Sequence, residues 1–189
     1  MNVYDFDGTI YSGDSTIDFY IFCLKKKPGI VRVLGKQLGG AFQYKMGKLS
    51  KTQFKEAFFA FLPYLQEREK MVNEFWKANE KKIKPWYWEN RKEEDIIISA
   101  SPEFLLSCMK KKLGIQDVIA SKVDINTGKF LGENCRGEEK IKRFSVKYKI
   151  ESIDNFYSDS DADIPMARIA KKAYKVRGLQ VEEWEINKA

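Results

Sequence analysis

Five short apolar runs, each ending at polar residues, limit what this chain of 189 residues can fold into. Helical patterns lie between most of them, and short buried strands that alternate with helices are typical of a doubly wound α/β sheet with mainly parallel strands. Ser101 is the expected N-cap of the first of these helices, with Pro102 in its first turn. The runs cover residues 3–6, 96–98, 118–120, 156–157 and 174–176, and the helical patterns cover residues 102–113, 138–147 and 164–172.

The first and second runs are separated by roughly eighty residues, whereas a strand crossover needs only about a dozen. Apolar residues in this stretch recur at the spacing of helices. We therefore expect a Rossmann-like core made of residues 1–11 and 93–189, with an all-helical cap domain inserted at residues 12–92. Residues 123–132 predict a hairpin, with residues 126–128 as its turn.

Composition excludes several kinds of chemistry. The chain has no histidine, which excludes a histidine base, a Ser-His-Asp triad and histidine metal ligands. Carboxylates must therefore carry any acid-base chemistry. Its three cysteines are far apart, which predicts neither a disulfide framework nor a zinc site. Neither a Walker phosphate loop nor the cysteine-arginine spacing of cysteine phosphatases occurs. Without a secretory signal or a membrane-spanning run, we expect a cytoplasmic protein, free or peripheral to the inner face of the membrane.

The strongest candidate site is Asp5-Phe6-Asp7-Gly8-Thr9, where the first apolar run ends. Carboxylates two residues apart on an extended segment point the same way, and Gly8 allows a tight turn beside them. One carboxylate can form an acyl phosphate, while the other protonates the leaving oxygen and then activates water. Asp7 is expected to have a raised pKa because other carboxylates are near. A purely structural acidic turn is the alternative that this segment alone leaves open.

Three later segments carry groups suited to phosphate. Ser99 ends the second run and can donate to a phosphate oxygen, although a turn or capping role suits it as well. Lys140 opens a helix and can neutralise phosphate, unless it is an ordinary surface lysine. Asp159, Asp161 and Asp163 follow a fourth run, where their mutual repulsion favours a bound cation.

Taken in this order, the four segments resemble the four motifs of haloacid dehalogenase-superfamily phosphatases, on both sides of the insertion. The resemblance implies a magnesium-dependent phosphomonoester hydrolase, with Asp5 as nucleophile and Asp7 as general acid and base. Magnesium is the one cofactor that it implies. It also implies phosphate-binding roles for Thr9, Ser99 and Lys140, and metal ligation by Asp5, the backbone carbonyl of Asp7, Asp159 and Asp163.

One residue of the fourth segment departs from the family's pattern. Ser158 stands where many members have glycine, which predicts a differently shaped turn. Asp161 lies between the two matched carboxylates, and the resemblance implies no role for it. A phosphotransferase or mutase that passes the same aspartyl phosphate to another acceptor shares all four motifs. The motifs therefore leave the acceptor open.

The insertion resembles the substrate-selecting helical cap of a branch that includes phosphoserine phosphatases and a bacterial phosphatidylglycerophosphate phosphatase. Asp14 lies near the position of the acidic residue that holds the ammonium group in phosphoserine phosphatases. It also suits the N-cap of a helix that begins at Ser15 or Thr16, and we expect that role. Residues 19–55 carry nine Lys and Arg but no Asp or Glu. This charge bias predicts an anionic substrate or peripheral contact with an anionic membrane.

These patterns predict a phosphorylated small molecule or a lipid phosphate as substrate, no specific nucleic acid partner, and a monomer or homodimer. A different class stays open, because the chain has a formal net charge of +7. In that class the protein is a non-catalytic basic module that binds a membrane or a nucleic acid, and it predicts binding without turnover.

Overall fold

In a computed structural model, which describes residues 1–186, the chain is organised around a six-stranded sheet. Its strands are β1 (Asn2–Tyr4), β2 (Ile96–Pro102), β3 (Asp117–Ser121), β4 (Asn155–Ser158), β5 (Lys172–Arg177) and β6 (Gln180–Glu183). Their order across the sheet is β3-β2-β1-β4-β5-β6; β1 to β5 are parallel, and β6 is antiparallel to β5. This confirms the doubly wound, mainly parallel α/β fold.

Helices surround the sheet, and those of the insertion lie between β1 and β2. The α-helices are α1 (Ser15–Lys26), α2 (Leu34–Lys45), α3 (Lys51–Phe58), α4 (Arg68–Asn79), α5 (Pro85–Asn90), α6 (Glu103–Leu113), α7 (Glu138–Lys147) and α8 (Ile164–Ile169). Short 3₁₀ helices at Pro28–Val33, Phe59–Tyr64 and Glu80–Lys82 join those of the insertion. No described helix has the length and apolar character needed to cross a membrane.

Two local predictions are wrong, and one strand was not predicted. The helix expected at residues 164–172 ends early, because the backbone of Ala170 is extended and Lys172 already pairs with β4. Ser101 does not cap α6, since β2 continues to Pro102, which takes the cap position itself. Strand β6 had no apolar run to predict it: its residues are exposed, and backbone pairing with β5 holds it.

Alternate residues of the strands face two hydrophobic clusters on opposite sides of the sheet. Val3, Ile96 and Ile98 pack with residues of α7 and α8, while Tyr4 and Ile97 pack with residues of α6 and the insertion. This is the period of two expected of strands that are buried on both faces. The core of the protein therefore lies on both faces of the sheet.

The insertion shares the second of these clusters with the sheet. Phe19, Phe61 and Phe75 of the insertion belong to the same cluster as Tyr4. The indole N–H of Trp76 in α4 donates to the carbonyl oxygen of Leu105 in α6 at 2.6 Å. The division into a core and a cap at residues 12 and 92 stays a prediction, and residues 187–189 of that core lie outside the described residues.

The hairpin predicted at residues 123–132 forms and contacts the insertion. Val123 and Phe130 pair as an antiparallel bridge. Gly128 has a φ of +73°, and a Cβ there would lie 2.5 Å from the carbonyl oxygen of Phe59. The turn therefore needs glycine both for its backbone and for this close approach.

Candidate active site

The carboxyl ends of β1, β2 and β4 meet at one edge of the sheet, because β1 lies between the other two. Asp5 follows β1, Ser99 lies in β2 and Asp159 follows β4. Together with Lys140 of α7 they line a cavity of about 650 Å³. Crevices outside the carboxyl ends of the strands are the usual ligand sites of open α/β sheets. The structure thus brings together residues that are more than 150 positions apart in the chain.

Lys140 links two of the predicted carboxylates. Its Nζ donates to Asp5 Oδ1 at 2.7 Å and to Asp163 Oδ2 at 2.7 Å, and only 1 % of Lys140 is exposed. Burial acts to lower the pKa of Lys140, but the charges of Asp5 and Asp163 hold it above its ordinary value. Burial also raises the pKa of Asp5, against the opposing charge of Lys140. Lys140 is therefore a permanent buried cation beside Asp5.

Both carboxylate oxygens of Asp7 are hydrogen-bonded. The N–H of Ser15 donates to Oδ1 at 2.7 Å, and the Ser101 hydroxyl donates to Oδ2. The hydroxyl of Thr16 lies 2.8 Å from that of Ser101, so Asp7 is connected to both β2 and α1. Burial raises the pKa of Asp7 to about 6, with a smaller contribution from the charge of Asp14. The predicted rise in the pKa of Asp7 is present, but burial is its main cause and the neighbouring carboxylate contributes less. Ser101 was missed because its position suggested a helix cap.

The turn after Asp7 is closed by Asp159, which packs directly on Gly8. Gly8 has a φ of +74°, and a Cβ there would lie 2.1 Å from Asp159 Oδ2. Thr9, predicted to bind phosphate, is fully buried and does not line the cavity. Its hydroxyl donates to Asp159 Oδ1 at 3.3 Å and accepts from the Asp159 N–H at 2.9 Å. Lys84 of the insertion donates to the carbonyl oxygen of Gly8.

Three further cations line the same cavity: Lys51, Lys55 and Arg136. Lys51 and Lys55 belong to the basic stretch that was predicted to attract an anionic substrate or membrane, whereas Arg136 was not singled out. Lys55 Nζ donates to the carbonyl oxygen of Ala100 at 2.7 Å and to Asn134 Oδ1 at 2.9 Å. Within residues 1–186, none of the three has a carboxylate at ion-pair distance. Burial, followed by the charge of Lys51, lowers the pKa of Lys55 to about 8. Lys51 and Lys55 are four residues apart on α3, so their side chains are neighbours on one side of the helix.

The two remaining acidic residues of interest have structural partners. Asp14 Oδ1 accepts from the N–H of Ile17 at 2.9 Å, which confirms its role as the N-cap of α1. Asp14 also borders the cavity. Asp161 is exposed and pairs with Lys175 at 2.7 Å, and it does not line the cavity.

Comparison with known proteins identifies the family. A family model described as haloacid dehalogenase-like hydrolase matches residues 3–168 of the chain. The chain belongs to this family. This confirms the resemblance on which the four motifs were interpreted, and no curated protein matches the chain.

Solved structures agree with this assignment at the level of fold. A protein of unknown function from Bordetella pertussis Tohama I has a TM-score of 0.75 at 18% identity, with 92% of this chain and 87% of that chain covered. A probable phosphoserine phosphatase from Vibrio cholerae has a TM-score of 0.65 at 15% identity, covering 91% of this chain and 55% of that chain. A structure described as a phospho-aspartyl intermediate analogue of phosphoserine phosphatase has a TM-score of 0.54 at 18% identity, covering 90% and 83%.

Ser158 replaces a common glycine of the haloacid dehalogenase-like family, and its hydroxyl is used. Ser158 Oγ donates to Asp163 Oδ2 at 2.7 Å and accepts from the Ser160 N–H at 3.0 Å. Asp163 is therefore held by Lys140 and Ser158 together. The side chain that differs from the family stabilises the acidic segment in place.

Magnesium, which the family implies, prefers hard oxygen ligands. Asp5, Asp159 and the backbone carbonyl of Asp7 are such donors at the end of the sheet, and Asp159 has no cation at ion-pair distance among residues 1–186. Burial raises the pKa of Asp159, as expected for a carboxylate whose charge is poorly compensated. This donor set fits a divalent cation. Among the described residues, no three acidic or cysteine side chains form one group that could hold a metal ion. Asp163 is ion-paired with Lys140.

Proposed function

We propose that this hydrolase is a magnesium-dependent phosphomonoesterase that forms an aspartyl phosphate on Asp5. The observation that supports it most is the buried Lys140 ammonium, 2.7 Å from Asp5 at a cavity that Asp7 also lines. A phosphate dianion repels an attacking carboxylate, so this reaction needs fixed positive charge beside the nucleophile. Lys140 supplies such a charge.

The reaction has two steps. A carboxylate oxygen of Asp5 bonds to phosphorus while the bond from phosphorus to the leaving oxygen breaks, and protonated Asp7 gives its proton to that oxygen. Asp7 then takes a proton from water, whose oxygen attacks phosphorus and releases inorganic phosphate and the Asp5 carboxylate. A pKa of about 6 suits a group that must be protonated in one step and ionised in the next.

Phosphate is bound by residues at the ends of β2 and α7. Ser99 Oγ accepts from the Ser101 N–H at 3.1 Å, which leaves its own proton for a phosphate oxygen. Lys140 contributes positive charge beside Asp5. Asp5, Asp159 and the backbone carbonyl of Asp7 would hold magnesium, and Asp163 would support that site through Lys140. The bound ion supplies positive charge that offsets the charge on phosphate.

The cations of the cavity support a substrate with a second anionic group. Lys51, Lys55 and Arg136 have no carboxylate at ion-pair distance among residues 1–186, and they line the cavity beside the phosphate site. A second carboxylate or phosphate on the substrate would neutralise these cations and accept hydrogen bonds from them. Several solved neighbours are described as phosphoserine phosphatases, and phosphoserine has such a carboxylate. Its ammonium group would need an acidic partner, but Asp14, the candidate for that role, already caps α1. We therefore propose a small or lipid-linked phosphate monoester with a second anionic group, the lipid-linked form reached by peripheral membrane contact.

The test is a phosphate-release screen over phosphorylated metabolites and lipid phosphates, with and without magnesium. The parent protein should release phosphate only with magnesium, fastest from substrates with a second anionic group. Asp5→Asn should abolish release, because an amide cannot form the acyl phosphate. Asp161→Asn is the matched control: it lies in the same acidic segment but is exposed, and it should keep the parent rate.

Two results would contradict the proposal. One is release that is undiminished in excess chelator, which excludes the magnesium-dependent mechanism. The other is trapping of phosphate on a residue other than Asp5, found by mass spectrometry of the quenched enzyme. Transfer of phosphate to an added alcohol faster than to water would instead identify a phosphotransferase.

A further inference from the structure

Helix α2 presents an uncharged apolar face to solvent. Leu34, Leu38 and Phe42 are spaced by four residues, which aligns them along one side of the helix. They are 41%, 61% and 65% exposed, and Met46, four residues further, is 57% exposed. An amphipathic helix normally turns such a face toward the core. We call these four residues the α2 face.

The opposite side of α2 is fixed against α3, so the outward direction of the α2 face is set by packing. Gln37 is buried, and its Nε2 donates to the carbonyl oxygen of Phe58 at 2.8 Å. Gly40 is in close contact with Ala57, since a Cβ on Gly40 would lie 2.5 Å from that of Ala57. A polar and a small residue thus face inward while large apolar residues face outward.

The stretch of chain that contains this face is basic and has no acidic residue of its own. Residues 19–55 contain no carboxylate. Lys26 pairs with Glu74 at 3.1 Å, and the other exposed cations of this stretch have no carboxylate at ion-pair distance among residues 1–186. The exposed cations are Lys25, Lys26, Lys27, Arg32, Lys36, Lys45 and Lys48.

We infer that the α2 face docks on the surface of an anionic lipid bilayer. Its apolar side chains would enter the boundary between headgroups and acyl chains, while the long lysine side chains reach lipid phosphates. A second copy of the chain is the poorer occupant, because a symmetric dimer through this face would oppose the same positive charges.

The docking face is close to the cavity through α3. Tyr44 of α2 stacks on Phe54 of α3 with ring centroids 5.1 Å apart, and Phe54 lines the cavity. Membrane contact through α2 would therefore bring the cavity near lipid headgroups. The inference extends the peripheral membrane contact of the proposed function. It is tested separately, because vesicle binding can be measured without turnover.

The test is co-sedimentation of the full-length protein with vesicles of phosphatidylcholine alone or mixed with phosphatidylglycerol. The face variant combines Leu34→Gln, Leu38→Gln and Phe42→Gln. Its matched control combines three exposed apolar residues elsewhere, Leu131→Gln, Val146→Gln and Leu179→Gln, which are 64%, 84% and 67% exposed. All six positions are outside the catalytic machinery, so release of phosphate from a soluble aryl phosphate should be unchanged in both variants.

The parent and the control should bind the mixed vesicles, and they should bind vesicles of phosphatidylcholine alone weakly or not at all. Binding to the mixed vesicles should fall as the salt concentration rises. The face variant should bind at least about ten-fold more weakly, from the apolar contact it loses. Phe42→Trp should show fluorescence that brominated lipids quench, unlike Leu179→Trp. Circular dichroism checks that each variant is folded.

Three outcomes would overturn the inference. The parent does not bind mixed vesicles at low salt, or the face variant binds as tightly as the control. The third is a parent dimer that becomes a monomer in the face variant while vesicle binding is absent, which would assign the face to a second copy. Loss of phosphatase activity in Asp5→Asn leaves vesicle binding intact, so failure of the docking inference and failure of the proposed function are distinguishable.

Discussion

At the scale of single residues, Lys55 differs from Lys140 because its hydrogen-bond partners within residues 1–186 are neutral, the carbonyl oxygen of Ala100 and Asn134 Oδ1. Its pKa is lowered to about 8, so it loses its charge as pH rises through that value. We expect KM for a phosphate substrate with a second anionic group to rise about ten-fold across this range, with a smaller change in kcat. Lys55→Arg keeps its charge and should flatten the rise, because arginine stays protonated. The same rise in that variant would contradict this role for Lys55.

Ser101 is a positioning residue for Asp7 at the same scale. Its hydroxyl donates to Asp7 Oδ2, while the other oxygen accepts from Ser15. Ser101→Ala should lower kcat about ten- to a hundred-fold through loss of a hydrogen bond to a charged group, with KM nearly unchanged. Ser145→Ala removes an exposed serine hydroxyl on α7 and is the control. Equal kcat values for both variants would leave Ser101 without a role in positioning Asp7.

At the scale of elements, the approach of α2 to α3 depends on one glycine of an adjacent pair. A Cβ on Gly40 would lie 2.5 Å from Ala57 Cβ, whereas one on Gly39 would meet nothing within 4 Å. Gly40→Ala should lower the free energy of unfolding by about 1–3 kcal/mol and raise KM, because α3 carries Lys51 and Lys55. Gly39→Ala should raise the free energy of unfolding by about 0.5–1 kcal/mol, since alanine has a higher helix propensity than glycine. Urea unfolding compares the two, and equal stability would refute the close contact.

At the scale of the whole molecule, the insertion and the sheet share one hydrophobic cluster. Phe61 and Phe75 of the insertion pack in the same cluster as Ile97 of the sheet, and Trp76 bonds to α6. We expect a single cooperative unfolding transition, in which tryptophan fluorescence and circular dichroism change together. Two separate transitions would instead show a cap that folds on its own. Whether the protein is a monomer or a homodimer stays a prediction that sedimentation would decide.

The sequence by itself determined the strands β1 to β5, the parallel fold and the candidate residues at the strand ends. These features are recorded locally: an apolar run predicts a buried strand, and the polar residues that follow it lie at the carboxyl edge where parallel strands meet. Asp5, Asp7, Ser99 and Asp159 could be chosen in this way, and Lys140 as a cation at the start of a predicted helix. Asp14 could be assigned as a helix cap because capping depends on neighbours in the chain.

Only the tertiary structure decided which groups touch. The Ser101 hydroxyl bonds to Asp7 and does not cap the helix that follows it. The Thr9 hydroxyl accepts a hydrogen bond from the Asp159 N–H. Lys55 and Arg136 line one cavity although they are distant in the chain. The outward α2 face was equally undetermined, because a helical apolar pattern shows that residues share a side but not whether that side meets the core or solvent. Such contacts join residues of large sequence separation, so no local pattern records them.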